Sequence, residues 1–346
     1  MVQFSNRLGG SGQSRNRNVI IYAVVAILLI VVGVSAYSCG KKGTSSPAQE
    51  APPEQPATAS PSTDTSAPAA APAPLAAPDA ATPVPPVAPA QSTVTSDEAA
   101  ALIAEANASI TRNEIIKARD TLKLALDLPL SDTDRAAVKT SMARLADLWL
   151  FSATVLPGDT LCTTYNVKSG DKFINIAKNC KTDYEILMKI NNIAKATMLQ
   201  AGRNIKVVNG PFRAVVNRST YTLDLYLQNT YVRSFKVGLG RPGHETPTGL
   251  WEVTNDKQVK PTWTDPDTGR VYHGSDPDYP LGTRWIGLKG IEGDAQGRTG
   301  FALHGTNKPE ELGQSLSRGC IRLSNPDIEL LYGMLAPYSS QVSVVN

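Results

Sequence analysis

A cysteine and a histidine near the C-terminus carry the chemistry that this sequence offers. His304 and Cys320 stand sixteen residues apart, with the thiol held in Ser317-Arg318-Gly319-Cys320-Ile321-Arg322. A thiol at its ordinary pKa of about 8.5 is only about 3% thiolate at pH 7, so a cysteine nucleophile needs an imidazole or a cation beside it. The sequence supplies both, His304 as a base and Arg318 as a neighbouring charge. Gly319 leaves the backbone beside the sulfur uncrowded, so main-chain N–H groups around Gly319 and Cys320 could converge on an oxyanion. Spacing alone leaves catalysis and a buried structural cysteine near a satisfied histidine equally open. His244 and His273 lie in polar loops with no further ligand at metal spacing, and read as solvated. The acidic run Asp265, Asp267, Asp276 and Asp278 lacks the order of a calcium loop, so no metal site is expected.

The scaffold that must bring the two side chains together, residues 211–346, reads as mostly β. Arg213 to Asn217, Thr220 to Leu227, Tyr231 to Val237 and Gly249 to Val253 alternate apolar with polar residues between Gly, Asn and Pro turns. Two more strands are expected at Trp285 to Leu288 and Phe301 to His304, the second delivering His304 at its end. Asn325 should cap a helix to about Leu335, with Pro326 at the first helical position, and Gln341 to Val345 closes as a strand. Within 162–209 a strand through Tyr165 meets a turn at Gly170-Asp171. Helices at Phe173 to Lys178 and Tyr184 to Ile190, then Asn191, Gly202 and a strand from Asn204 to Val208, complete a βααβ unit. From 96 to 155 the composition turns helical, and Val138, Met142, Leu145 and Trp149 step by four, three and four. Helices are expected near 97–110, 113–127 and 132–150, with Pro129 breaking the second and Ser131 capping the third. This α-helical hairpin segment reads as a spacer, similar to a tetratricopeptide hairpin but without an internal repeat.

The strings carry a resemblance. His304-Gly305-Thr306-Asn307 and Ser317-Arg318-Gly319-Cys320-Ile321-Arg322 resemble the signature of the YkuD-type L,D-transpeptidase catalytic domain, as do Gly238-x-Gly240, Thr246-Pro247-Thr248-Gly249 and Leu281-Gly282-Thr283-Arg284-Trp285-Ile286-Gly287-Leu288 upstream. Tyr165-x-Val167-x-x-Gly170-Asp171, Asn191 and Gly202-x-x-Ile205-x-Val207 resemble a LysM module. The resemblance implies peptidoglycan remodelling without metal or organic cofactor. Cys320 would attack the third residue of a tetrapeptide stem, expel the terminal D-alanine and leave a thioester for an amine acceptor, giving a cross-link between third residues or a related exchange. His304 would deprotonate the thiol and protonate the leaving amine, its other ring nitrogen oriented by analogy by the carbonyl of Gly305. Many members carry a histidine where this chain has Arg318, so no role of that histidine transfers. Arg322, Ser317 and Trp285 are candidates for holding substrate, each with a structural alternative, as are Trp263 and Tyr272. Gly170, Asp171, Asn191 and Gly202 mark the module expected to bind peptidoglycan glycan strands. Water in place of the amine would make an L,D-carboxypeptidase, and an inert cysteine domain would leave a LysM wall-binding adaptor.

The N-terminus puts this chemistry outside the cytoplasm. Residues 19–37 are an unbroken apolar run, which at ~1.5 Å per residue matches a hydrocarbon core of about 30 Å. Arg7, Arg15 and Arg17 precede it without an acid, so the stub 1–18 is expected inside and everything after Tyr37 outside. A lipoprotein acylated at Cys39 and a cleaved signal peptide are the alternatives to a single-pass inner-membrane anchor, and all three leave the catalytic domain in the periplasm or wall. The linker 38–95 contains 13 of the 25 prolines between Pro47 and Ala90. Fully extended at ~3.1 Å per residue, that disordered stretch would reach roughly 140 Å. In an oxidising exterior Cys162 and Cys180 could bridge, leaving Cys320 as the unpartnered thiol. A scattered net charge of +3 excludes a nucleic-acid footprint. A content of 41% hydrophobic and 19% charged residues excludes wholesale disorder and a polytopic membrane protein.

Overall fold

Residues 91–346 are described by the computed structural model. The predicted stub, membrane span and tether up to residue 90 lie outside the described residues, among which no helix is long and apolar enough to cross a membrane. Three helices come first: α1 (Gln91–Thr111), α2 (Ile115–Leu126) and α3 (Asp132–Trp149). α1 starts inside the range expected for the linker. The last proline before it is Pro89, and from Gln91 to Thr111 no residue lacks a backbone N–H for the helix. Ser131 caps α3 by accepting the Asp134 N–H at 3.1 Å, and Val138, Met142, Leu145 and Trp149 form the buried stripe of that helix.

Next come β1 (Cys162–Asn166), α4 (Phe173–Asn179), α5 (Tyr184–Ile190) and β2 (Asn204–Val208). β1 and β2 pair antiparallel, Cys162 opposite Val208, while Phe173, Ile176, Ile186, Leu187 and Ile190 are buried. Apolar residues at helical spacing thus close the βααβ unit.

The third segment contains β3 (Phe212–Asn217), β4 (Thr222–Leu227), β5 (Thr230–Lys236), β6 (Leu239–Gly240), β7 (Gly249–Gln258), β8 (Trp263–Thr264) and β9 (Val271–Tyr272). It continues with β10 (Trp285–Glu292), β11 (Phe301–His304), β12 (Ser315–Ser317), β13 (Ile321–Arg322), α6 (Asn325–Tyr332) and β14 (Gln341–Val345). Eight strands form one sheet in the order β13-β11-β10-β7-β14-β3-β4-β5. β13 runs parallel to β11 and β14 parallel to β3, whereas the other neighbours are antiparallel. β7 extends past Val253 to Gln258 because β10 pairs with it on both sides of a bulge. The helix cap also differs from expectation: Ser324, not Asn325, accepts the Asp327 N–H, at 3.3 Å. Ser-x-x-Asp satisfies the first turn, and Asn325 Oδ1 instead accepts the Thr283 N–H at 3.1 Å.

The three segments form one unit. α3 lies along β5, the outermost strand, and covers an edge that would otherwise offer unpaired backbone groups. Lys139 pairs there with Asp224, and Arg233 with Asp147 at 2.6 Å. Lys206 of β2 donates to the carbonyls of Trp149, Ser152 and Thr154 at 2.5, 3.0 and 2.8 Å, placing a cation at the C-terminal end of α3. Lys257 of β7 reaches Asp183 at the start of α5 and the carbonyls of Tyr332 and Leu335 at 2.6 and 3.0 Å.

Candidate active site

β11 ends on His304, and β13 begins one residue after Cys320. Their parallel register pairs Leu303 with Ile321 and His304 with Arg322. Paired residues share a face, and alternation puts Cys320, two before Arg322, on that face as well. Thiol and imidazole are therefore diagonal neighbours on one side of the sheet, with the Arg322 charge bearing on both and the Cys320 sulfur 4.0 Å from the Gly300 carbonyl oxygen.

His304 is buried and Cys320 half-buried. His304 Nδ1 lies 2.6 Å from the carbonyl oxygen of Gly305. A carbonyl only accepts, so Nδ1 carries the hydrogen and Nε2 keeps its lone pair. Burial pulls the imidazole pKa down to about 4; the Gly305 hydrogen bond opposes this and the Arg322 charge adds to it. Burial pushes the Cys320 thiol up, against the Ala302 backbone N–H and Arg322, which both favour the thiolate. The resting pair is thus a neutral thiol and a free-base imidazole rather than a preformed ion pair.

The loop before Cys320 is held from both sides. Ser317 Oγ donates to the Cys320 carbonyl at 2.6 Å and accepts the Gly319 N–H at 3.1 Å. That N–H is consequently occupied rather than aimed at an oxyanion. Thr246 Oγ1 donates to the Gly319 carbonyl at 2.8 Å while accepting the Gly240 N–H at 3.1 Å. Gly319 has φ +108°, and a Cβ there would sit 2.6 Å from the Phe301 ring. Gly319→Ala is expected to destabilise the protein by about 1–3 kcal/mol and to slow Cys320 acylation. Thermal melting and an acylation time course check this; an unchanged melting temperature would contradict the strain.

Other predicted residues sit differently from their expected roles. Arg318 pairs with Asp267 on the β8–β9 hairpin, so the cation bearing on the thiol is Arg322. Arg322 Nη1 is in turn 2.6 Å from Glu311 Oε2. Gly305, besides orienting His304, donates its N–H to the Arg284 carbonyl at 3.2 Å. Trp285 stacks on the His304 ring. In the βααβ unit, Asn191 is buried and its amide holds Leu187 O, Lys206 O and the Lys206 N–H. Asp171 accepts from Tyr165 OH and the Lys168 N–H, while Gly170 and Gly202 occupy positive-φ turns. These four shape the turns and strand contacts of the module. Cys162 and Cys180 are free thiols, the predicted bridge being unformed. Burial, reinforced by Asp159 and opposed by the Lys206 charge, pushes the Cys162 pKa up to about 12, whereas Cys180 lies near Tyr165. His244 and His273 are exposed, and among the described residues no cluster of His, Cys, Asp and Glu could hold a metal. Thr246 is legible only as part of a motif string and Asn325 only as a helix cap, and nothing local points to Glu311.

A thiol and a tautomer-fixed imidazole sharing one sheet face make a site of the cysteine acyl-transfer class. The YkuD family profile, described as an L,D-transpeptidase catalytic domain, matches residues 211–344, and that of the LysM domain matches residues 165–208. YqjB of Bacillus subtilis strain 168, provisionally named an L,D-transpeptidase, is 33% identical over 134 residues, covering 38% of this chain and 70% of that protein. YkuD of Bacillus licheniformis, with an equally provisional name, is 26% identical over 187 residues, 52% of this chain and 97% of its own length. YcfS of Escherichia coli K12, likewise named, is 25% identical over 247 residues, 60% of this chain and 75% of that protein. The chain belongs to the L,D-transpeptidase family and is an enzyme of that family, with a LysM domain N-terminal to its catalytic domain.

Proposed function

We propose that the protein is a membrane-anchored peptidoglycan L,D-transpeptidase. Cys320 attacks the carbonyl of the third residue in a tetrapeptide stem while His304 Nε2 takes the thiol proton. Collapse of the tetrahedral intermediate breaks the bond to the terminal D-alanine, whose amine leaves with that proton. The amine of a neighbouring stem, or of a related acceptor, then takes the acyl group: its C–N bond forms as the C–S bond breaks, and its proton returns through His304 to the Cys320 sulfur. The observation that carries this reading is the 2.6 Å contact from His304 Nδ1 to Gly305 O, because it leaves Nε2 basic on the face that bears Cys320. The apolar run 19–37 supports a single span in the inner membrane with the enzyme outside it. Binding of glycan strands by the LysM domain would raise the local concentration of stems at Cys320.

Incubating the full-length protein with a carbapenem and weighing it tests the nucleophile. A mass adduct in the parent that disappears in Cys320→Ala is expected, and an unmodified parent would overturn the reading in favour of a wall-binding adaptor. Purified muropeptides separate the two fates of the thioester. Cross-linked dimers are expected, whereas shortened stems alone would indicate transfer to water.

A further inference from the structure

We infer that Asp256 and Trp285 are positioning residues that hold the His304 imidazole in its working orientation and keep water from its face. The inference rests on the proposed role of His304 as the base. Trp285 stands directly opposite His304 in the β10–β11 ladder. The two rings stack with centroids 5.7 Å apart and planes 16° from parallel, so the indole roofs one face of the imidazole. A roof of this kind works only if its own tilt is set. Trp285 Nε1 donates to Asp256 Oδ2 at 2.9 Å, while Asp256 Oδ1 accepts from Gln258 Nε2 at 2.6 Å, so the carboxylate is itself held.

The backbone is shaped for this contact. Ile286 pairs with Lys257 and Leu288 with Val253, so three residues of β7, Thr254 to Asp256, face the single residue Gly287. Such a bulge redirects side chains, and here it brings Asp256 back to the indole. A Cβ on Gly287 would lie 2.8 Å from Thr254 Oγ1, 2.9 Å from Asp256 Cβ and 3.0 Å from Asp256 Oδ2. Glycine opposite the bulge is therefore what admits the carboxylate. The titratable and charged groups on this face are Cys320 and Arg322 on the β13 side, Glu311 behind Arg322, and Asp256 behind the indole.

The test measures Cys320 acylation by a carbapenem on the full-length protein from about pH 4 to 8, a range that spans the ordinary histidine pKa. Trp285→Ala should acylate ~10- to 100-fold more slowly at pH 7. Its rate should also fall on the acid side at a higher pH than the parent's, because a hydrated imidazole protonates more readily. Asp256→Ala should shift both quantities in the same direction by less. Asp256→Asn, which keeps an acceptor for the indole N–H, and Trp285→Phe, which keeps the stack, should remain closer to the parent than the corresponding alanine variants. Parent-like rates and pH profiles in both alanine variants, with His304→Ala slow, would overturn the positioning role and leave the base intact. A parent-like rate in His304→Ala would instead overturn the reading beneath it. Asp256 is exposed, so its variants test the idea even if Trp285→Ala fails to fold. In Asp256→Ala a mixture of imidazole tautomers by 15N NMR supports positioning, and a parent-like single Nδ1–H tautomer with a parent-like profile rejects it.

Discussion

His304→Ala acylates Cys320 ~10²- to 10⁴-fold more slowly than the parent at pH 7, the range usually contributed by a positioned general base. The half-buried thiol is held neutral by its surroundings, so removing the base leaves only a small thiolate population to react. In the parent, the imidazole pKa of about 4 keeps the base deprotonated through mildly acidic pH. The parent acylation rate is therefore expected to stay level as pH falls from about 7 to 5, where an unperturbed histidine would lose most of its free-base form. An acid limb centred near the ordinary histidine value would contradict the burial argument. The same shift couples to stability. Between the unfolded value of 6.5 and about 4 the unfolded chain binds a proton that the folded chain does not, so stability falls as pH drops through that window. The full loss amounts to about 3 kcal/mol, and it should vanish in His304→Ala when chemical denaturation is compared at both ends of the window.

Asp159→Ala destabilises the protein by about 3–5 kcal/mol, the usual consequence of leaving one member of a buried ion pair without its partner. Arg119 on α2 is 1% exposed and the Asp159 side chain 0%. Arg119 Nη1 reaches Asp159 Oδ1 at 2.7 Å, and the guanidinium lies over the Trp149 ring with 4.7 Å to its centroid. The remaining carboxylate partner, Asp120, is largely solvent-exposed and compensates little. Asp159 also accepts the Leu161 N–H at 3.0 Å, which ties the start of the LysM segment to the helices. Replacing both charges by apolar residues of similar size should restore much of the loss, because the desolvation of both ions is then avoided. Denaturant midpoints of the single and double variants check this. A single variant as stable as the parent would show that the pair carries no net energy.

Period-two alternation identified most strands of the sheet, and period 3.6 identified the stripe of α3, because both patterns are local and needed no knowledge of neighbours. The errors arose where a distant partner decides. The length of β7 follows from its pairing with β10. The capping role passed to Ser324 because Asn325 was recruited by Thr283, forty-two residues away in sequence. Expectations for Arg318 and Gly319 assumed that nearness in the chain meant nearness to the sulfur. The fold instead turns Arg318 to Asp267 and occupies the Gly319 N–H with Ser317.

The sequence by itself determined which atoms can react: a thiol in Ser-Arg-Gly-Cys and an imidazole at the end of a strand, on a chain whose family is written in short contiguous strings. Tertiary structure alone decided the tautomer of that imidazole, the cation that faces the thiol, and the indole and carboxylate that brace the ring. Side-chain chemistry is a property of each residue, whereas solvation, charge and orientation come from strands β7, β10, β11 and β13. Their register depends on the whole sheet closing at once.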